Sequence, residues 1–254
     1  MSSRSLTARR SLAPATALLA VAGLAWLGTI IWARGMGIMP GTMGLNLAVF
    51  VVMWTLMMAA MMLPSAVPMV LLYARTLPAG AGSRLALFGL SYLLIWALAG
   101  VPAFALAWLA GRVAPAHPTL SVAAAALIFA GCGVYQLSGL QRRCLTHCRS
   151  PLAQLLHYGN YRGRLRDLRA GAHHGAYCLG CCAALMVLLI AFGVMNLTAM
   201  VVLAVVIAIE KQWSHGAGFA RLVGIASLAL AVLVIIYPGL APGLHAGMDM
   251  GMGM

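Results

Sequence analysis

The sequence predicts an all-α protein, a polytopic bundle of about seven transmembrane helices, with six as the alternative. Hydrophobic residues fill 63% of the 254 positions and charged residues only 7%, whereas a soluble domain carries about 25% charged residues. The chain contains several apolar stretches that are long enough to cross a hydrocarbon core of about 30 Å. We therefore expect the protein to lie in a lipid bilayer. The net charge of +13 indicates membrane topology rather than binding to nucleic acid.

Seven apolar stretches account for the predicted helices. They are 15–33, 45–63, 86–109, 119–140, 177–194, 197–209 and 219–237. Two places leave alternatives open. Pro64 and Pro68 favour a kinked helix or a span followed by a half-helix, because proline removes a backbone donor. The run 177–209 is either one long helix or a hairpin that turns near 193–196.

Basic residues predict the orientation. With seven spans and a cytoplasmic N-terminus, 14 of the 16 basic side chains lie on the cytoplasmic side, and treating 177–209 as one helix leaves 12. This favours seven spans in a cytoplasmic (inner) membrane, with the basic loop on the cytoplasmic side. Three regions follow: an N-terminal anchor helix with a Met-bearing external loop (1–44), a helical membrane core with a basic cytoplasmic loop at 141–176 (45–237), and a flexible His/Met-rich tail (238–254).

Five of the six cysteines flank the basic loop in two groups with the same offsets. The groups, each a candidate set of metal ligands, are Cys144, His147 and Cys148 in "CLTHC", and Cys178, Cys181 and Cys182 in "CLGCC". Offsets of three and four residues place the members of each group on one helix face. Thiolate and imidazole suit copper(I) and zinc, so the two groups predict a metal site at the cytoplasmic face. His157, His173 and His174 are further ligands in the same loop.

Cysteine is also a small apolar residue that is often buried, and Cys132, isolated in the fourth span, is interpreted in that way. Disulfides are disfavoured on the cytoplasmic side, where thiols are kept reduced. The opposite orientation would favour a membrane thiol oxidoreductase that uses the cluster of Cys178, Cys181 and Cys182.

Methionines add soft ligands along the chain. Met53, Met57 and Met61 form a stripe on one face of the second span, and Met36, Met39 and Met43 lie in the first external loop. The tail brings His245, Met248 and Met250, followed by Met252 and Met254. Thioethers select copper(I), so copper is the expected metal and zinc is the alternative. Methionine also fills gaps between helices, which is the competing explanation for the stripe.

Several blocks resemble a known family. They are "MWTLMMAAMMLP", "YQLSGLQRRCLTHCRSP", "GAYCLGCCAALM" and "GVMNLTAMVVLAVVIAIEK". The chain from about 45 to 211 is similar to bacterial integral membrane proteins that are described as metal-binding and have no established reaction. The resemblance implies metal binding by Cys144, Cys148, Cys178, Cys181, Cys182 and Glu210.

The expected function is copper binding in uptake, transfer or delivery, with a metallochaperone or a metalloenzyme as the acceptor. A thiol oxidoreductase and a non-catalytic subunit of a membrane complex are the alternatives. The sequence contains no Ser-His-Asp set, phosphate-binding loop or His-Glu-x-x-His motif, so enzymatic hydrolysis is not expected. Glu210 either has a functional role or pairs with Lys211 or a nearby arginine.

Overall fold

The computed structural model describes residues 3–35, 41–78 and 80–244. Nine α-helices and a short 3-10 helix occupy these residues, and no strand occurs among them. The helices are α1 (Ser3–Arg34), α2 (Leu47–Arg75), α3 (Gly82–Ala116), α4 (Pro118–Leu137), α5 (Gly139–Cys148), α6 (Pro151–Gly159), α7 (Arg166–Phe192), α8 (Leu197–Gln212) and α9 (Gly216–Ile236). The all-α prediction is confirmed.

In the described part of the chain, six helices are long and apolar enough to cross a membrane: α1, α2, α3, α4, α7 and α9. The seventh predicted span, 197–209, corresponds to α8. Its 16 residues extend only about 24 Å, which is shorter than a hydrocarbon core of about 30 Å. The bundle therefore has six full-length candidate spans and one shorter apolar helix.

Both alternatives that the sequence left open are resolved. α2 continues as one helix from Leu47 to Arg75 through both prolines. The run 177–209 is a hairpin, because α7 ends at Phe192 and Gly193 has a φ of 92°, a conformation that favours glycine. The Asn196 side chain then accepts a hydrogen bond from the backbone N–H of Ala199 and begins α8.

The segment predicted as a basic loop, 141–176, is helical. It contains most of α5, all of α6 and the beginning of α7, which starts at Arg166 instead of near 177. α5 begins where the Ser138 side chain accepts a hydrogen bond from Gln141 N–H, and α6 begins with Pro151. Each of these short helices buries only two side chains, so their sequences lack the long apolar period that marks a span.

Two glycines allow α7 to lie directly against α3. A Cβ atom at Gly171 would be 2.1 Å from the carbonyl oxygen of Phe88, and one at Gly175 would be 3.1 Å from the carbonyl oxygen of Tyr92. Small residues at such positions let two membrane helices approach closely and gain dispersion energy along their length. The approach fixes the rotation of α7, and with it the direction that its cysteines face.

A buried carboxylate joins three helices at the same end of the bundle. Asp167 on α7 accepts hydrogen bonds from Tyr73 Oη on α2 at 2.5 Å and from Arg84 Nε and Nη2 on α3 at 2.8 Å each. Asp167 is 3% exposed, and a charge buried to that degree requires such partners. We call this end of the bundle, formed by α5, α6 and the first half of α7, the loop face.

Cys132 belongs to a separate interface between α4 and α9. Its sulphur lies 3.9 Å from Ser227 Oγ and is buried. A Cβ atom at Gly133 would be 2.8 Å from the carbonyl oxygen of Gly224, so these two helices also pack at short range. The position of Cys132 fits its interpretation as a buried packing residue.

Replacement of Gly171 by alanine should separate α7 from α3, because the backbone of Phe88 and the hydroxyl of Ser91 occupy the space that the new methyl group needs. We expect a loss of about 1–3 kcal/mol in the free energy of unfolding, seen as a lower melting temperature in detergent. Gly89→Ala is the matched control, since a Cβ atom there meets open space. Equal melting temperatures for the two variants would contradict this account of the interface.

Candidate metal site

Four of the six predicted ligands on the two helices come together. The Cys181 sulphur on α7 lies 3.3 Å from Cys182 Sγ, 3.7 Å from Cys148 Sγ on α5 and 3.2 Å from the carbonyl oxygen of Cys178. We call Cys148, Cys178, Cys181 and Cys182 the thiol cluster. The three α7 cysteines are each 1% exposed, whereas Cys148 is half-buried. All the cysteines are free thiols.

The other two predicted ligands border the cluster. The Cys144 sulphur occupies the space that a Cβ atom at Gly180 would need, at 2.7 Å, and burial raises the pKa of the Cys144 thiol. The His147 ring stacks on Tyr177 with 3.8 Å between ring centroids. Burial lowers the pKa of His147, and the neighbouring His157 adds to this effect. The imidazole of His147 is therefore neutral near pH 7, which is the form that binds metals.

Among the described residues, no group of three or more His, Cys, Asp or Glu side chains is arranged as a metal would require. The assignment of Cys144, His147, Cys148, Cys178, Cys181 and Cys182 as ligands therefore stays a prediction. The contacts show only that the sulphur atoms of Cys148, Cys181 and Cys182 share one small volume between α5 and α7, and that Cys181 also contacts the backbone of Cys178.

Lys211 is a partner of the cluster that the sequence did not reveal. Its Nζ atom, at the end of α8, donates hydrogen bonds to Cys178 Sγ at 3.0 Å and to Ser65 Oγ on α2 at 3.3 Å. The Tyr92 hydroxyl on α3 lies 3.0 Å from the same sulphur. A lysine ammonium beside a sulphur stabilises the thiolate, the form that binds metal ions. The signal in the sequence was a cation at the end of an apolar helix, where charge is costly unless it has a partner.

Glu210 does not form an ion pair with Lys211, which was one of the alternatives that the sequence left open, because adjacent residues on a helix point in different directions. The buried Glu210 carboxylate accepts a hydrogen bond from Gln136 Nε2 on α4 at 2.7 Å. Arg149, which follows Cys148, donates to the backbone carbonyl of Glu210 at 2.6 Å and to that of Ser214 at 2.9 Å. These bonds tie the end of α5, and so Cys148, to the end of α8.

The methionine stripe is buried and leads to the thiol cluster. Met53, Met57 and Met61 are at most 3% exposed. Ser65, which contacts Lys211, follows Met61 by one helical turn on the same face of α2. Further fully or nearly fully buried thioethers lie on α2, α7 and α8, namely Met58, Met62, Met186 and Met200. Burial of this kind fits both gap filling and soft-metal ligation.

Several of the predicted ligands lie outside the described residues. They are Met36, Met39, His245, Met248, Met250, Met252 and Met254. Met43 is described and has a φ of 54° in the turn before α2.

A bundle of membrane-length helices with thiols and thioethers in its interior has the composition of a membrane protein that handles a soft metal ion. A family model described as PpoB2, copper chaperone, matches residues 51–234, which is well over half of the chain. The protein therefore belongs to the PpoB2 copper chaperone family, and its function is copper-related. Comparison with curated proteins and with solved structures finds no match. The matched region includes the thiol cluster, Lys211 and the methionine stripe.

Lys211→Leu should weaken copper binding, because the Cys178 thiolate would lose the cation that balances its charge and leucine supplies no metal ligand in its place. We expect a fall in Cu(I) affinity of about 10- to 100-fold, the usual effect of removing a group that supports a ligand, measured by competition with a chelator. Lys211→Arg keeps the charge and is the control, which should retain most of the affinity. Undiminished affinity in Lys211→Leu would refute this role.

Proposed function

We propose that the protein is a membrane copper chaperone that binds Cu(I) at the thiol cluster and delivers it to an acceptor at the loop face. The observation that carries the proposal is the approach of three sulphur atoms, with Cys181 Sγ at 3.3 Å from Cys182 Sγ and 3.7 Å from Cys148 Sγ. Thiolates are the preferred ligands of Cu(I), and membership of a copper chaperone family supports copper over zinc.

We further propose that copper reaches the cluster along the methionine stripe. The stripe spans Met53 to Met61 on α2 and ends one turn before Ser65, which contacts the lysine beside Cys178. A series of thioethers binds a soft ion weakly and repeatedly, which suits passage rather than storage. In this proposal the external loop and the tail (245–254) capture the ion first.

The proposed location is a bacterial inner membrane, with the loop face in the cytoplasm. Support comes from the seven arginines of 141–176, which lie at this end of the bundle. Positive side chains are retained on the cytoplasmic side and are attracted to anionic lipid. The acceptor would then be a cytoplasmic or membrane-bound metallochaperone or metalloenzyme.

Elemental analysis of the purified protein tests the copper site. We expect near-stoichiometric copper in the wild type and a loss of nearly all of it in a variant with serine at the four positions of the thiol cluster. Cys132→Ser is the matched control, because this thiol is buried elsewhere, between α4 and α9. It should retain wild-type copper. Copper that persists after removal of the cluster would rule out the proposed site.

A thiol oxidoreductase is the second candidate, and the short distance between Cys148 and Cys181 favours it. Their sulphur atoms are 3.7 Å apart, and a disulfide needs about 2.05 Å, so a small side-chain movement would join them. Metal-free wild-type protein in which these two thiols oxidise and reduce reversibly would support this candidate against the chaperone.

Replacement of the methionines of the stripe by leucine tests whether copper reaches the cluster along α2. A variant with leucine at Met53, Met57 and Met61 keeps side-chain volume and should remain folded. When purified and loaded with Cu(I), it should bind as much copper as the wild type, but cells that express it should accumulate several-fold less. Met69→Leu, buried on the same helix beyond Ser65, is the control. Unchanged accumulation in the triple variant would show that the stripe only fills space.

A further inference from the structure

Three imidazoles form a line that runs inward from the surface of the loop face. His157 on α6 is exposed, whereas His173 on α7 and His147 on α5 are half-buried. The rings of His157 and His173 have centroids 4.9 Å apart, and those of His173 and His147 are 5.3 Å apart. His147 directly precedes the half-buried Cys148, which contacts the buried Cys181. Exposure is therefore greatest at His157 and least at the α7 thiols.

Two of these imidazole rings form hydrogen bonds with tyrosine hydroxyls. Tyr161 Oη lies 3.1 Å from Nε2 of His157, and Tyr158 Oη lies 3.3 Å from Nδ1 of His173. A hydrogen bond at one ring nitrogen fixes the orientation of the ring and leaves the other nitrogen able to bind a metal ion, as in most metal-binding histidines. Nε2 of His147 is buried and has no hydrogen-bond partner among the described residues. A buried polar nitrogen of this kind normally has a partner.

The face of α7 that meets α5 connects the line to the cluster. His173, Tyr177 and Cys181 follow one another at intervals of four residues, so they share one face of the helix. On α5, His147 stacks on Tyr177 and Cys148 contacts Cys181. Imidazole and thiol side chains of both helices thus meet in the interface between α5 and α7.

We infer that His147, His173 and His157 form the route by which Cu(I) passes between the thiol cluster and the loop face. The inference rests on the proposed function, since it requires copper at the cluster. At each step one Cu–S bond, or one Cu–N bond, breaks as a Cu–N bond to the next imidazole forms, and copper stays Cu(I). Imidazole binds Cu(I) but is harder than thiolate, so the ion is released more readily as it nears the surface.

The surface beside His147 indicates the charge of the acceptor. An open cavity of about 400 Å³ is lined by Arg142, Arg143, Thr146, His147 and Ser150, together with Ala153. Its cationic wall fits an acceptor with an acidic surface, which would be attracted and oriented by complementary charge. An anionic Cu(I) chelator should therefore enter at the same place, which makes it a suitable probe.

The rate of copper release to bathocuproine disulfonate tests the route. Protein purified in detergent and loaded with one Cu(I) is mixed with excess chelator, and the absorbance of the chelated ion is followed in a stopped-flow instrument. We expect His157→Ala with His173→Ala to slow release roughly tenfold, with copper content and affinity unchanged. His215→Ala is the matched control, since this imidazole is also exposed and lies outside the line. It should release copper at the wild-type rate.

Different outcomes separate the route from the copper site. Wild-type release rates in the double variant, or equal slowing in His215→Ala, would overturn the route while the thiol cluster keeps its copper. Wild-type protein that retains no copper would instead overturn the proposed function and the route with it. If the double variant fails to fold, His157→Ala decides the matter, because the exposed ring can be removed without a cavity. Slower release at unchanged affinity would support the route.

Discussion

The close approach of α7 to α3 is the constraint on which the rest of the structure depends. Lipid tails are as apolar as leucine, so helices in a bilayer gain little from burial of apolar surface and depend on fitted contacts. Gly171 and Gly175 provide that fit, since a Cβ atom at Gly171 would collide with the backbone of α3 and one at Gly175 would make a tight contact with it. With α7 in this rotation, Cys178 meets Tyr92 on α3 and Cys181 faces Cys148 on α5. The bond network of Asp167 then holds α2 at the same end.

Polar groups in this bundle occur where they find partners, and those partners determine the site. Lys211 ends α8 at the depth of Cys178 because α8 starts at the Asn196 cap and is short. Its neighbour Glu210 turns away to Gln136. One positive charge is therefore directed at a sulphur and not neutralised by the adjacent carboxylate. The arrangement favours a thiolate in an apolar interior, where soft ligands and a fixed cation together suit a monovalent soft ion.

The exposure of the thiol and imidazole side chains increases from the thiol cluster towards the loop face, as the proposed transfer of copper requires. The α7 thiols are almost completely buried, Cys148 is half-buried, and the imidazoles beyond it end at an exposed ring. On the other side, buried thioethers of α2 lead towards the same sulphurs. Membership of a copper chaperone family makes the function copper-related, and the fold orders these soft side chains by depth. In the proposed function, the buried thiols bind the ion strongly and the more exposed imidazoles release it.

The sequence by itself determined the fold class, the approximate spans and the spacing of the two groups of cysteines, because apolar length and helical spacing are local properties. It also offered a turn at 193–196 as one of two alternatives, and the structure forms that turn with Gly193 and Asn196. Only the tertiary structure decided that α5 and α6 are helices, since each is short, buries few side chains and lacks the long apolar run that marks a span. It alone paired Lys211 with Cys178, separated Cys144 from the cluster and aligned three histidines. Those outcomes depend on helix rotation and depth, which follow from contacts between distant segments and leave no local pattern.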